Sequence, residues 1–77
     1  MKNRILVVDD EKEIADLVEI YLVSEKFDVI KCYDGDTAID AIEHEKIGLA
    51  ILDIMLPGIS GLELCRRIRK KENYPVI

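Results

Sequence analysis

The sequence predicts an α/β domain, a parallel sheet with helices packed on both faces. Two apolar runs carry that reading, Ile5-Leu6-Val7-Val8 and Leu49-Ala50-Ile51-Leu52, because neither alternates with polar residues, as expected of strands covered on both sides. Both runs stop at acids, Asp9-Asp10 and Asp53. Stretches of helical periodicity separate the extended runs, giving the order βαβαβαβ, and this order calls for right-handed crossovers between parallel strands.

The elements follow in turn. After the first strand, Ile14, Leu17, Val18, Tyr21 and Leu22 recur at the spacing of an amphipathic helix with one buried face. Phe27-Asp28-Val29-Ile30 reads as a second strand whose polar content suits a sheet edge. Asp34-Gly35-Asp36 forms a turn and caps a second helix, with Ala38, Ile39, Ala41 and Ile42 facing inward. The third strand, Leu49–Leu52, is followed by a turn at Pro57-Gly58. Ser60 and Glu63 have the spacing of a capping box, and Leu64, Cys65 and Ile68 continue a third helix. Tyr74-Pro75-Val76-Ile77 begins a fourth strand, and with no turn or polar tail after Ile77 the chain reads as stopping inside it.

The 77 residues, 49% hydrophobic and 35% charged, suffice for one small domain with a packed core. A formal net charge of −5 gives no overall attraction for nucleic acid or an anionic membrane, so any DNA binding belongs to another segment. No apolar run approaches the roughly 20 residues that span a bilayer, and the run after Met1-Lys2-Asn3-Arg4 is too short for a signal peptide. A cytoplasmic location is expected. Cys32 and Cys65 lack the paired spacing of a zinc or redox motif and read as small apolar residues.

In an open parallel sheet, ligands bind beyond the carboxyl ends of the strands. If the first and third strands are neighbours, their ends lie about 5 Å apart and Asp9, Asp10 and Asp53 share one crevice. Clustered carboxylates repel, and a divalent cation removes the conflict. Oxygen donors without nearby His or Cys suit Mg²⁺ rather than zinc. Bland explanations also exist. Asp10 with Glu13 fits a D-x-x-E helix cap, whereas an acid ending a buried strand, as at Asp53, is costly unless paired or metal-bound. No phosphate-binding or dinucleotide-binding glycine loop follows the first strand. His44 lies among Glu43, Glu45 and Lys46 and reads as a solvated surface residue. The basic cluster Arg66, Arg67, Arg69, Lys70 and Lys71 reads as a helix end favoured by the macrodipole.

The stretches Ile5-Leu6-Val7-Val8-Asp9-Asp10-Glu11 and Leu49-Ala50-Ile51-Leu52-Asp53-Ile54-Met55-Leu56-Pro57-Gly58-Ile59-Ser60-Gly61 together resemble the receiver domain of bacterial two-component response regulators. Ile14-Ala15-Asp16-Leu17-Val18-Glu19 is similar to regulators of the vancomycin-resistance type. The resemblance implies a flavodoxin-like sheet of strand order 2-1-3-4-5, with residues 1–77 forming the amino-terminal part of a single receiver domain. It implies that Asp53 is the phosphoacceptor, attacking the phosphohistidine of a sensor histidine kinase. Asp10 matches a direct Mg²⁺ ligand, Asp9 an acid that contacts the ion through water, and Met55 a position that lends its backbone carbonyl. It further implies a phosphorelay module controlling transcription through a DNA-binding output domain, and not an enzyme beyond its own phosphoryl transfer.

Receivers complete the site with a Thr or Ser after strand four and a Lys after strand five, and neither position falls within this sequence. The alternative reading is therefore an inert truncated α/β fragment that keeps the acids but cannot switch. A weaker one, a Mg²⁺-dependent phosphohydrolase, needs a second acid two residues after the nucleophile, where this chain has Met55. With its last strand and helices missing, strand four is expected to be an uncovered edge and the chain to self-associate, as a symmetric homodimer or a loosely packed state.

Overall fold

The computed structural model describes residues 4–56, 58–72 and 74–77, so the Pro57 half of the expected Pro57-Gly58 turn lies outside the described residues. The element order is β1 (Arg4–Val8), α1 (Lys12–Ser24), β2 (Asp28–Cys32), α2 (Gly35–His44), β3 (Leu49–Leu52) and α3 (Gly61–Lys71). The three strands form one parallel sheet of order β2-β1-β3. This is the amino-terminal half of the expected flavodoxin-like order, with β2 at the edge.

Alternation along the strands divides the core in two. Leu6, Val8, Cys32 and Ala50 face α2 and α3 and pack with Ala38, Ala41, Ile42, Leu64 and Ile68. Ile5 and Val7 face α1 and pack with Ala15, joined by half-buried Val18, Leu22, Val29, Leu49 and Ile51. Helices thus cover both faces. β1, the central strand, is the most deeply buried, whereas in β3 only Ala50 is fully buried. The expectation of a third strand buried on both sides is corrected to that extent.

The expected inward stripe of α1 is also corrected. The sheet receives Ala15, Val18 and Leu22, while Ile14, Leu17 and Tyr21 are 46%, 67% and 65% exposed. One residue along a helix is a rotation of 100°, so the two sets lie on adjoining faces. The small side chain of Ala15 lets the helix sit close to β1, and Ile14, Leu17 and Tyr21 form an apolar flank beside that contact. The opposite flank carries Asp16 and Glu19, which pair with Lys31 of β2 at 2.8 and 2.7 Å. The helix ends in a Schellman arrangement: Lys26 N–H donates to the Val23 carbonyl, Phe27 N–H donates to the Leu22 carbonyl, and Lys26 takes a left-handed φ of 73°.

Local signals set the other helix starts. Asp34 caps α2, its side chain accepting the Thr37 amide at 2.8 Å. Ser60 caps α3 by accepting the Glu63 amide at 3.2 Å, but the Glu63 carboxylate turns to Arg66 instead of completing the box. The fourth strand is present only as a bridge. Val76 pairs with Ala50, and the Ala50 and Leu52 amides donate to the Pro75 and Ile77 carbonyls.

Candidate functional site

Parallel register places the acids. Val8 of β1 lies opposite Leu52 of β3, and the ladder runs one step further through the Asp53 amide, which donates to the Val8 carbonyl at 2.9 Å. Asp9 and Asp53 therefore leave neighbouring strands at the same level. One carboxylate oxygen each from Asp9, Asp10 and Asp53 can be chosen so that all lie within 4.8 Å of one another. Asp9 and Asp53 are half-buried and Asp10 is exposed, so the crevice opens to solvent on one side.

Two of the acids are held by their own backbone. Asp9 Oδ1 accepts the Glu11 amide at 2.9 Å, and Asp53 Oδ1 accepts the Met55 amide at 3.0 Å. These are Asx turns, and they orient the carboxylates toward the strand ends. The Asp10 side chain has no such role. The cap residue of α1 is Glu11, without a side-chain cap bond, so the D-x-x-E cap expected from Asp10 and Glu13 does not form. The helix starts one residue later than that spacing implies, with Glu11 in the cap position. Asp10 is left with its carboxylate toward the other two acids.

The donors fit a hard divalent cation: three carboxylates, no His or Cys, and an exposed side where an ion such as Mg²⁺ keeps part of its water. The Met55 side chain is 82% exposed, and its amide donates to Asp53 Oδ1. Gly61, legible in the sequence only as part of a turn motif, sits against the backbone of Asp53 and Ile54. No local signal in the sequence reports such a long-range approach.

The remaining candidates lie elsewhere. His44 is in the last turn of α2, exposed, with Nδ1 3.0 Å from the Asp40 carbonyl. The neighbouring Glu45 pairs with Arg4, at the start of β1 and so at the opposite end of the sheet from the acids. On α3, Arg66 and Arg67 face Glu63 at 3.0 and 3.9 Å, and Arg69 donates to the Tyr74 carbonyl at 2.9 Å, as befits a solvated helix end. Cys32 is buried in the core, where desolvation pushes its thiol above the usual range, and Cys65 is half-buried. The tie between Lys31, Asp16 and Tyr33 was not legible in the sequence. Hydrogen bonds from Lys31 and Tyr33 hold the Asp16 carboxyl below its ordinary value, and those bonds, led by Asp16, hold Lys31 above its own. No helix among the described residues is long and apolar enough to cross a membrane.

Comparison with known proteins gives the same picture. Regulatory protein VanR of Enterococcus faecium is 56% identical over 77 residues, all of this chain and 33% of VanR. The response regulator TrrA of Thermotoga maritima, solved with Mg²⁺-BeF, matches with a TM-score of 0.84 at 45% identity, over 92% of this chain and 61% of that one. TrrA in complex with the histidine kinase ThkA matches with a TM-score of 0.87 at 42% identity, over 99% of this chain and 66% of that one. The chain thus spans about a third of the length of the curated relative. The response regulator receiver domain family matches residues 5–77. Matched from its first strand to its last residue, the chain belongs to that family.

Proposed function

We propose that this chain is the phosphoacceptor module of a two-component signalling system, working in the cytoplasm. Asp53 takes a phosphoryl group from the phosphohistidine of a sensor histidine kinase. The observation that supports this reading is the convergence of Asp9, Asp10 and Asp53 within 4.8 Å at the carboxyl ends of β1 and β3, in a chain of the receiver family. Kinase partnership is suggested by the relative TrrA, solved with its histidine kinase.

In the proposed reaction, Asp53 Oδ1 stays on the Met55 amide and the other carboxylate oxygen attacks phosphorus. An O–P bond forms, the N–P bond to the kinase histidine breaks, and its electron pair returns to the imidazole. Asp9, Asp10, Asp53 and the Met55 carbonyl would hold Mg²⁺, which when bound neutralises the charge on the transferred phosphoryl oxygens. The Met55 amide fixes the nucleophile's rotamer, so attack begins from one orientation. Beyond its own phosphoryl transfer the chain is not an enzyme. The longer protein of which relatives like VanR are examples would carry the signal to DNA through an output domain, this segment itself binding neither DNA nor membrane.

Incubation with acetyl phosphate and Mg²⁺, followed by intact-mass and peptide analysis, tests the reading. Addition of one phosphoryl group at Asp53 supports it. A chain of unchanged mass, under conditions that phosphorylate a complete receiver of the same family, favours the inert fragment instead.

A further inference from the structure

We infer that Gly61 is a positioning residue for the acidic site: its missing side chain lets α3 rest on the Asp53–Ile54 peptide and so sets where the Asp53 carboxylate stands. This rests on reading the three acids as a Mg²⁺ site. A Cβ built on Gly61 would run into the Asp53 carbonyl oxygen and come within 2.9 Å of Ile54 Cα and 3.0 Å of the Asp53 carbonyl carbon. All three atoms are backbone, so no side chain can swing aside. The Gly61 amide also donates to the Ile54 carbonyl at 3.1 Å, which draws helix and turn together at this point.

Which partner yields to an added methyl group decides the functional consequence. The helix is anchored by Leu64 and Ile68, both fully buried, and by the Ser60 cap. The turn is loosely held on its outer side, with Ile54 60% and Met55 82% exposed. The turn therefore moves. Because the Asp53–Ile54 peptide carries the carboxylate on one side and leads to the Met55 amide on the other, both ends of the bond between Asp53 Oδ1 and Met55 N–H shift. Asp9 and Asp10 follow β1, the neighbouring strand, and stay in place. The carboxylate trio then loses its register, and a small hard ion with strict geometry is sensitive to displacements of that size. Gly58 differs. It has a left-handed φ of 84°, but a Cβ there would meet nothing within 4 Å.

The test is Mg²⁺ titration of this chain, read by amide NMR, for the natural sequence, Gly61→Ala and Ile68→Val. Ile68→Val trims the buried side of the same helix and serves as the stability control. The expected result is Mg²⁺ affinity lowered about tenfold or more in Gly61→Ala, the range for losing an outer support of a metal ligand, and unchanged in Ile68→Val. Equal affinity in the natural chain and Gly61→Ala overturns the positioning role while leaving the acidic site intact. No saturable Mg²⁺ response in the natural chain overturns the site and this inference with it. If Gly61→Ala does not fold, the natural chain still decides: the Gly61 amide should shift with the same Mg²⁺ dependence as the Met55 amide, and a Gly61 amide that ignores the ion refutes the coupling.

Discussion

Asp9 and Asp53 leave their strands at one level of the sheet, and each folds a carboxylate oxygen back onto the amide two residues later, Glu11 and Met55. Two like charges are held side by side by the backbone itself. Folding orients these groups before any cation arrives.

Asp10 takes no part in capping α1, so Asp10→Asn should leave the helical circular dichroism unchanged while weakening Mg²⁺ binding. Calorimetric titration gives the check. Unchanged Mg²⁺ affinity in that variant would remove Asp10 from the ligand set.

Asp53→Ala should abolish phosphoryl acceptance in any protein that contains the complete receiver, whereas His44→Ala, at the other end of the sheet, should not alter it. Transfer of radiolabel from a phosphorylated sensor kinase is the measurement. Label retained on the Asp53→Ala protein would disprove the assignment of the nucleophile.

The tie between Asp16 and Lys31 gives a pH signature. The Asp16 value is depressed on folding, so its contribution is present above the ordinary 3.8 and fades as pH falls through the lower folded value. Lys31 is raised, so its contribution is complete below the ordinary 10.5 and is lost as pH climbs through the higher folded value. Asp16→Asn should therefore melt at a lower temperature than the natural chain at pH 7 and converge with it in strong acid. Both side chains keep some solvent contact, which makes the difference small.

Leu62 and Leu64 sit two residues apart on α3 and should behave oppositely. Leu64 is fully buried and Leu62 is 60% exposed. Leu64→Ala should cost about 2–5 kcal/mol in urea unfolding, and Leu62→Ala within about 0.5 kcal/mol. A small domain has only about 5–15 kcal/mol in total, so the first change should leave a visibly unfolded fraction.

The flank of Ile14, Leu17 and Tyr21 should make this 77-residue chain pair with itself, as a symmetric dimer that covers the flank. Sedimentation at several concentrations tests it, and Leu17→Lys should shift the population to monomer. A concentration-independent monomer with sharp cooperative unfolding would rule the pairing out.

Much of this architecture was legible because its signals are local. β1 and β3 announce themselves as unbroken apolar runs, and Asp34 and Ser60 are caps whose partners lie three residues away. The trio of acids followed from strand adjacency alone. The inward face of α1 was misread because a one-residue offset rotates the stripe by 100°, and the contact with β1 is made by Ala15, too small to stand out by hydrophobicity. The Asp10 cap does not form because the helix begins one residue later, with Glu11 at its cap, and a D-x-x-E spacing does not by itself fix the helix start. The bond from Lys31 to Asp16 spans 15 residues, and the approach of Gly61 to Asp53 depends on how α3 settles on the sheet. Neither leaves a periodic trace.

The polar edge strand has one more consequence, for how copies of this chain meet at high concentration. β2 presents its outer backbone to solvent, yet Asp28 is exposed at its start and Lys31 is ringed by Asp16 and Glu19. A foreign strand docking there would have to lie against that cluster of charges, which makes β2 a poor template for cross-β growth. The symmetric contact predicted for the α1 flank would close at two copies. Strand addition at the β2 edge should therefore be disfavoured, and replacing Lys31 should make that edge stickier.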